Sequence, residues 1–98
     1  MELDVVAKCL AELGHRTRLA IFRYLVKCGL EGCPVGELQK SLGIPGSTLS
    51  HHLGRLMSAG LVQQRRDGRT LYCVPVYSAL DEVIEFLTHE CCIGHCAT

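Results

Sequence analysis

Apolar residues return at three- and four-residue steps along most of this chain, and the places where that period fails mark its element boundaries. Leu3, Val6, Leu10 and Leu13 trace one face of an amphipathic helix, which Gly14 breaks. From Arg16 to Cys28 the spacing resumes. Leu19, Phe22 and Val26 share a face that Ile21 and Leu25 widen, and this predicts a second helix. Gly29, Gly32 and Pro34 predict a loop. Val35 to Leu42 fits a short third helix with Leu38 and Leu42 facing inward. Gly43-Ile44-Pro45-Gly46 then makes a tight connection. Ser47 is the expected N-cap of a fourth helix, whose Leu49, Leu53, Leu56 and Met57 form an apolar stripe ending near Gly60.

After Gly60 the period changes. Leu61 to Arg66 and Arg69 to Val76 flank Asp67-Gly68, a strong short-range signal for a β-hairpin. Beyond Pro75, Leu80, Val83, Ile84 and Leu87 restore helical spacing to about Glu90. The expected fold is mainly α with a small β component (α+β): about five helices plus a two-stranded hairpin wing, a winged helix-turn-helix. The 98 residues leave room for one domain spanning 1–98, with 91–98 as a cysteine-rich tail. A core this small gains from dimerisation. The stripes of the first and last helices offer two apolar faces, either for a partner copy or for the chain's own core.

Composition sharpens this picture at two points. The chain is 48% hydrophobic and 20% charged, and it has no apolar run near the length of a membrane span. Met1-Glu2-Leu3-Asp4 carries no basic n-region of a secretory signal, so a cytoplasmic location is expected. Net charge is zero, yet its distribution is uneven. Arg55, Arg65, Arg66 and Arg69 face only Asp67 between Ser47 and Arg69. The last stretch holds Asp81, Glu82, Glu85 and Glu90 with no Lys or Arg. Local basic clustering is what releases counterions from DNA.

In a winged helix-turn-helix the second helix of the motif enters the major groove. Its outward positions here are Thr48, Ser50, His51, Gly54 and Arg55, with Ser47 at its start and His52 beside them. Serine, threonine, histidine and arginine donate to base edges and phosphates, and small residues allow close approach. Arg65, Arg66 and Arg69 beside the hairpin tip suit phosphate contacts or a minor groove. Double-stranded DNA is therefore the expected partner. An enzyme is not: there is no Cys-x-x-Cys and no acid–base pair beside a candidate pocket.

Gly14-His15-Arg16-Thr17-Arg18-Leu19-Ala20-Ile21, Val35-Gly36-Glu37-Leu38, Ser47-Thr48-Leu49-Ser50-His51-His52-Leu53 and Ala59-Gly60-Leu61-Val62 resemble the ArsR/SmtB family of metal-sensing repressors. Arg65-Arg66-Asp67-Gly68-Arg69 is similar to that family's wing. The resemblance runs from about Val6 to Leu87. It implies a homodimer built by the first and last helices, which binds an operator and is released by an inducer.

Seven cysteines in a chain with no export signal point to metal binding or redox sensing rather than to a disulfide framework. The family's Cys-x-Cys motif falls on Pro34 and Gly36, so that site is absent, with Cys33 just before it in a loop. Its zinc site on the last helix needs Asp-x-His. Asp81 and His89 are present, but Val83 stands in the third position. What remains is Cys91-Cys92-Ile93-Gly94-His95-Cys96, similar to the Cys-Cys tail of an arsenic-responsive subgroup. Three soft thiolates, Cys91, Cys92 and Cys96, suit a trigonal As(III) or Sb(III) centre. A fourth ligand from His89 or His95 would suit tetrahedral Zn²⁺. The alternative inducers are Cd, Pb or Zn, or a redox or persulfide signal at the tail thiols. Cys9 and Cys28 are expected on helix faces as small hydrophobes. Cys73 either packs or lends a thiol to the tail. His15 reads as a residue at a helix start.

Overall fold

The computed structural model of the chain describes residues 1–94. Five helices and three short strands follow in the order α1 (Leu3–Leu13), α2 (Arg16–Cys28), β1 (Cys33–Pro34), α3 (Val35–Leu42), α4 (Gly46–Ser58), β2 (Val62–Asp67), β3 (Thr70–Pro75) and α5 (Tyr77–Thr88). The winged helix-turn-helix expected from the period of the apolar residues is present. Its core is one cluster to which every helix contributes, with Val6, Cys9, Ile21, Phe22, Leu25, Leu38, Leu49, Leu53, Leu56 and Val83 at its centre.

The wing is larger than the hairpin pattern predicts. β1 pairs antiparallel with β3, giving a three-stranded sheet ordered β1-β3-β2. Two residues are too few to display an alternating pattern, and Pro34 lacks the N–H a central strand needs, so β1 is confined to the sheet edge. The hairpin register also sits one residue later than Asp-Gly suggests. Asp67 pairs with Thr70, and Gly68-Arg69 form the loop. Gly68 takes φ 62° at the first loop position, the conformation a type II′ turn places on glycine.

Three local expectations change for physical reasons. α4 begins at Gly46 rather than after a Ser47 cap, because the carbonyl of Pro45 already accepts the Leu49 N–H at 2.9 Å. Ser47 is therefore an exposed residue of the first turn. Leu19 is exposed, since the inward face of α2 is Ile21, Phe22 and Leu25. α1 uses two faces. Val6, Cys9 and Glu12 turn inward, whereas Leu3 and Leu10 stay in solvent, as do Ile84 and Leu87 of α5. α5 packs beside α1, and its Tyr77 hydroxyl donates to the Val26 carbonyl of α2 at 3.1 Å.

Candidate nucleic-acid interface

The apolar stripe of α4 (Leu49, Leu53, Leu56) is buried to the last few per cent, which fixes the helix's rotation about its axis. Thr48, Ser50, His51, Gly54 and Arg55 are thereby turned outward on one polar surface, with Ser47 at its N-terminal end. An added Cβ at Gly54 would meet nothing within 4 Å, so this part of the helix presents bare backbone to whatever docks there.

His52 does not belong to that surface, a correction to the reading that placed it among the DNA-facing residues. It follows Leu49 by three positions and therefore shares the leucine face, with 7% exposure. Burial lowers its pKa, and its Nδ1 lies 3.3 Å from Arg18 Nη1, so a neutral imidazole accepts from the guanidinium. Its ring is 4.8 Å from that of His15, whose Nδ1 accepts from the Thr17 N–H as the N-cap of α2.

Beneath this polar surface lies a group that the sequence pattern concealed. Glu12 of α1 is 5% exposed and accepts from Arg55 through Nε at 2.8 and 3.2 Å and through Nη2 at 3.1 Å. Arg18 adds Nη2 at 3.4 Å and donates from Nε to the Glu12 carbonyl at 2.8 Å. Two guanidinium groups on one carboxylate satisfy its lone pairs, the condition under which a buried charge is tolerated. Arg55 thus stands half on the surface and half in a network that joins α4 to α1 and α2. The spacing Val6, Cys9, Glu12 could have revealed this carboxylate on the inward face, but the stripe through Leu10 and Leu13 masked it.

The Arg55 hydrogen bond is the leading cause that holds the Glu12 carboxyl below its ordinary pKa. A depressed carboxyl stabilises the fold fully above the ordinary carboxylate range and loses that contribution as pH falls through its folded value. Glu12→Gln is therefore expected to unfold at lower denaturant than the unmodified chain at neutral pH. The two midpoints should converge in acid, as read from urea titrations between neutral and strongly acidic pH. Midpoints that stay equally far apart at every pH would show that the carboxylate's charge is irrelevant.

On the wing, Arg65, Arg66 and Arg69 are all exposed. Arg65 is tied down: its guanidinium lies 4.6 Å from the centroid of the Tyr72 ring and donates to the Glu31 carbonyl at 2.8 Å. Arg66 and Arg69 have no such restraint among the described residues.

The cysteines divide by burial. Cys9, Cys33 and Cys73 are enclosed, Cys28 is half-buried, and Cys91 and Cys92 are exposed. Cys9 is the small hydrophobe expected, its Sγ 3.4 Å from the Ala59 carbonyl. Cys33 is not in a loop but in β1, opposite Cys73. Cys73 packs inside the sheet and accepts from Gln64 Nε2 at 3.6 Å. Burial raises its pKa, as it does for Cys33. Cys73 thus has the packed position that was one of its two expected roles.

Past α5, bonds from Cys91 N–H to the Thr88 carbonyl and from Ile93 N–H to the Glu90 carbonyl close two successive turns. Cys92 takes φ 66° there, and the thiols of Cys91 and Cys92 lie 3.3 Å apart. Cys96 and His95 fall outside the described residues. Among the described residues of one chain no three metal-ligating side chains converge.

Comparison with known proteins agrees with this architecture. A helix-turn-helix domain family matches residues 13–65. The chain is 35% identical over 86 residues to the nodulation protein NolR of Rhizobium meliloti, covering 88% of this chain and 66% of that protein. It is 42% identical over 69 residues to an arsenical resistance operon repressor, ArsR, of Halobacterium salinarum, covering 70% of this chain and 51% of that one. The transcriptional regulator YgaV of Escherichia coli shares 33% identity, with 91% of this chain and 88% of that protein aligned. The chain thus spans between about half and two thirds of the first two relatives and most of the third. Among solved structures, the homodimeric winged helix-turn-helix domain of a possible ArsR-family regulator from Mycobacterium bovis superposes with a TM-score of 0.69 at 31% identity, covering 95% of this chain and 89% of that one.

Proposed function

The chain belongs to the ArsR family of winged helix-turn-helix transcriptional regulators, and from that premise we propose that it is an operator-binding repressor released by trivalent arsenic. Ser47, Thr48, Ser50, His51 and the free edge of Arg55 read the major groove, while Arg65, Arg66 and Arg69 hold the flanking phosphates. It acts in the cytoplasm as a homodimer. The partner copy covers the apolar residues α1 and α5 leave in solvent: Leu3 at 67%, Leu10 at 39%, Ile84 at 52% and Leu87 at 59% exposure. Two reading helices then meet successive operator half-sites about one helical turn apart.

The inducer site is the tail. The observation that carries this reading is the pair of exposed thiols, Cys91 and Cys92, held 3.3 Å apart directly after the helix assigned to the dimer contact. With Cys96 as a third donor they make a soft trigonal set for arsenite, and equally for antimonite or an organoarsenical. The similarity to an arsenical resistance repressor points the same way. Cd or Pb are alternative ions for these thiols, whereas tetrahedral Zn would need a fourth ligand, for which His89 stands just before the tail. Ligand binding reshapes the turns at 88–93 and with them the seat of α5 in the dimer.

Fluorescence anisotropy on operator DNA tests this, with arsenite, antimonite, Cd²⁺, Zn²⁺ and peroxide added in turn. Arsenite is expected to weaken binding by about 5–150-fold, the range of ordinary allosteric coupling. The Cys91→Ser/Cys92→Ser/Cys96→Ser chain should bind DNA and ignore arsenite. Release of that variant by arsenite would overturn the tail as the sensor.

A further inference from the structure

We propose that Cys28 and Cys33 are a second, redox-active thiol site, closing to a disulfide under hydroperoxides and acting on the wing through the turn between them. The Gly32 N–H donates to the Gly29 carbonyl at 3.2 Å, closing a turn over residues 29–32. Cys28 ends α2 and Cys33 opens β1, so the two cysteines flank that turn, and the Cys28 side chain is the hydrogen-bonding neighbour of the Cys33 thiol. Both belong to one packed cluster.

The three thiols near this point have different roles. Cys33 is 1% exposed and Cys73, its cross-strand partner, is fully enclosed, so neither meets an oxidant directly. Cys28 is half-buried and is the entry point. Burial and the adjacent Cys28 sulfur raise the pKa of Cys33, which keeps its proton while Cys28 reacts. The Cys28 thiolate attacks a peroxide oxygen, and the O–O bond breaks to give a sulfenic acid and hydroxide or alkoxide. The Cys33 sulfur then attacks the Cys28 sulfur. The S–O bond breaks, and the departing hydroxide leaves as water with the Cys33 proton. Two thiols lose two electrons and the peroxide takes them.

The turn that changes carries Glu31, whose carbonyl holds Arg65 Nη2 at 2.8 Å. Drawing its feet together displaces that carbonyl and frees the wing arginine. This coupling rests on the DNA-binding reading above; the disulfide itself does not.

The experiment is peptide mapping of the full chain after peroxide titration and thiol alkylation. Trypsin leaves Cys28 and Cys33 together on the peptide 28–40, and Cys73 with all the tail cysteines on the peptide that follows Arg69. The expected result is a 28–40 peptide lighter by two hydrogens and closed to alkylation, with Cys28→Ser abolishing the change. A 28–40 peptide that stays fully alkylated while the tail peptide oxidises would overturn the site, as would a cross-link from Cys33 to Cys73. Operator anisotropy, in the Cys91→Ser/Cys92→Ser/Cys96→Ser background, then reads the coupling. Peroxide should weaken binding about fivefold or more, and the further Cys28→Ser change should remove that response. A mapped disulfide with unchanged operator affinity would overturn the link to the wing. Operator binding that fails before any oxidation refutes the repressor reading instead.

Discussion

Leu56→Ala is expected to cost about 2–5 kcal/mol of folding stability, the usual range for deleting a buried leucine to leave a partly collapsed cavity. Leu56 has no exposed surface, sits in the last full turn of α4, and is packed within the cluster shared by all five helices. Its neighbours cannot easily fill the space. Just beyond it the Leu61 N–H returns to the Leu56 carbonyl at 3.0 Å, so the backbone at this point is pinned by the start of the wing. For a domain of this size such a loss is a large part of the total. Urea denaturation should show a lower midpoint with an unchanged slope, the sign of altered stability rather than altered compactness. A shift below about 0.5 kcal/mol, a typical surface value, would mean the site collapses freely and the rotation of α4 is set elsewhere.

Gly32→Ala should be comparably severe, by a different mechanism. Gly32 has φ +86°, a conformation that L side chains rarely adopt, and a Cβ there would lie 2.6 Å from the Cys73 carbonyl oxygen and 2.7 Å from Val74 Cγ2. The first obstacle is backbone and cannot rotate away. Strain of about 1–3 kcal/mol for the dihedral and a similar cost for the overpacking add to a loss of about 2–6 kcal/mol. The alternative outcome is that β1 detaches from β3 to relieve the clash. Amide exchange separates the two, since detachment speeds exchange along β1 and the facing edge of β3 selectively. Gly29→Ala is the comparison, because Gly29 has a similar φ of +85° and open space around its Cβ position. Equal losses at the two glycines would refute the role given to close strand approach.

Most of the fold is legible in the apolar period, because five helices each bury a stripe and a stripe repeats every three or four residues. The hairpin is legible in Asp67-Gly68, which brackets the turn to within one residue. Three features are hidden for separate reasons. β1 is two residues long, too short to have a period, and its existence depends on β3 passing beside it. Glu12 looks like a solvent residue because the pattern counts polarity, whereas its burial depends on Arg18, on the next helix, and on Arg55, 43 residues further along the chain. His52 is adjacent to His51 and chemically identical, yet one step of about 100° around the helix takes it off the polar surface and onto the leucine face. The exposed part of the candidate interface was readable from the same stripe, since the polar face is what the leucines leave over. The thiol pair at Cys28 and Cys33 was not readable, because the closure of the turn between them is set by backbone hydrogen bonding.

If the wing docks on DNA as proposed, Arg65 and its neighbours contribute to that contact in different ways. A free arginine gives up about 2 kcal/mol of rotamer freedom when it is fixed against a phosphate. Arg65, clasped by the Glu31 carbonyl and the Tyr72 ring, lost that freedom when the chain folded, whereas Arg66 and Arg69 lose it only on docking. The wing thus carries one rigid cation and two adaptable ones. In the proposed complex the rigid one would meet the duplex at a single width, and the adaptable ones would follow whatever shape the groove presents.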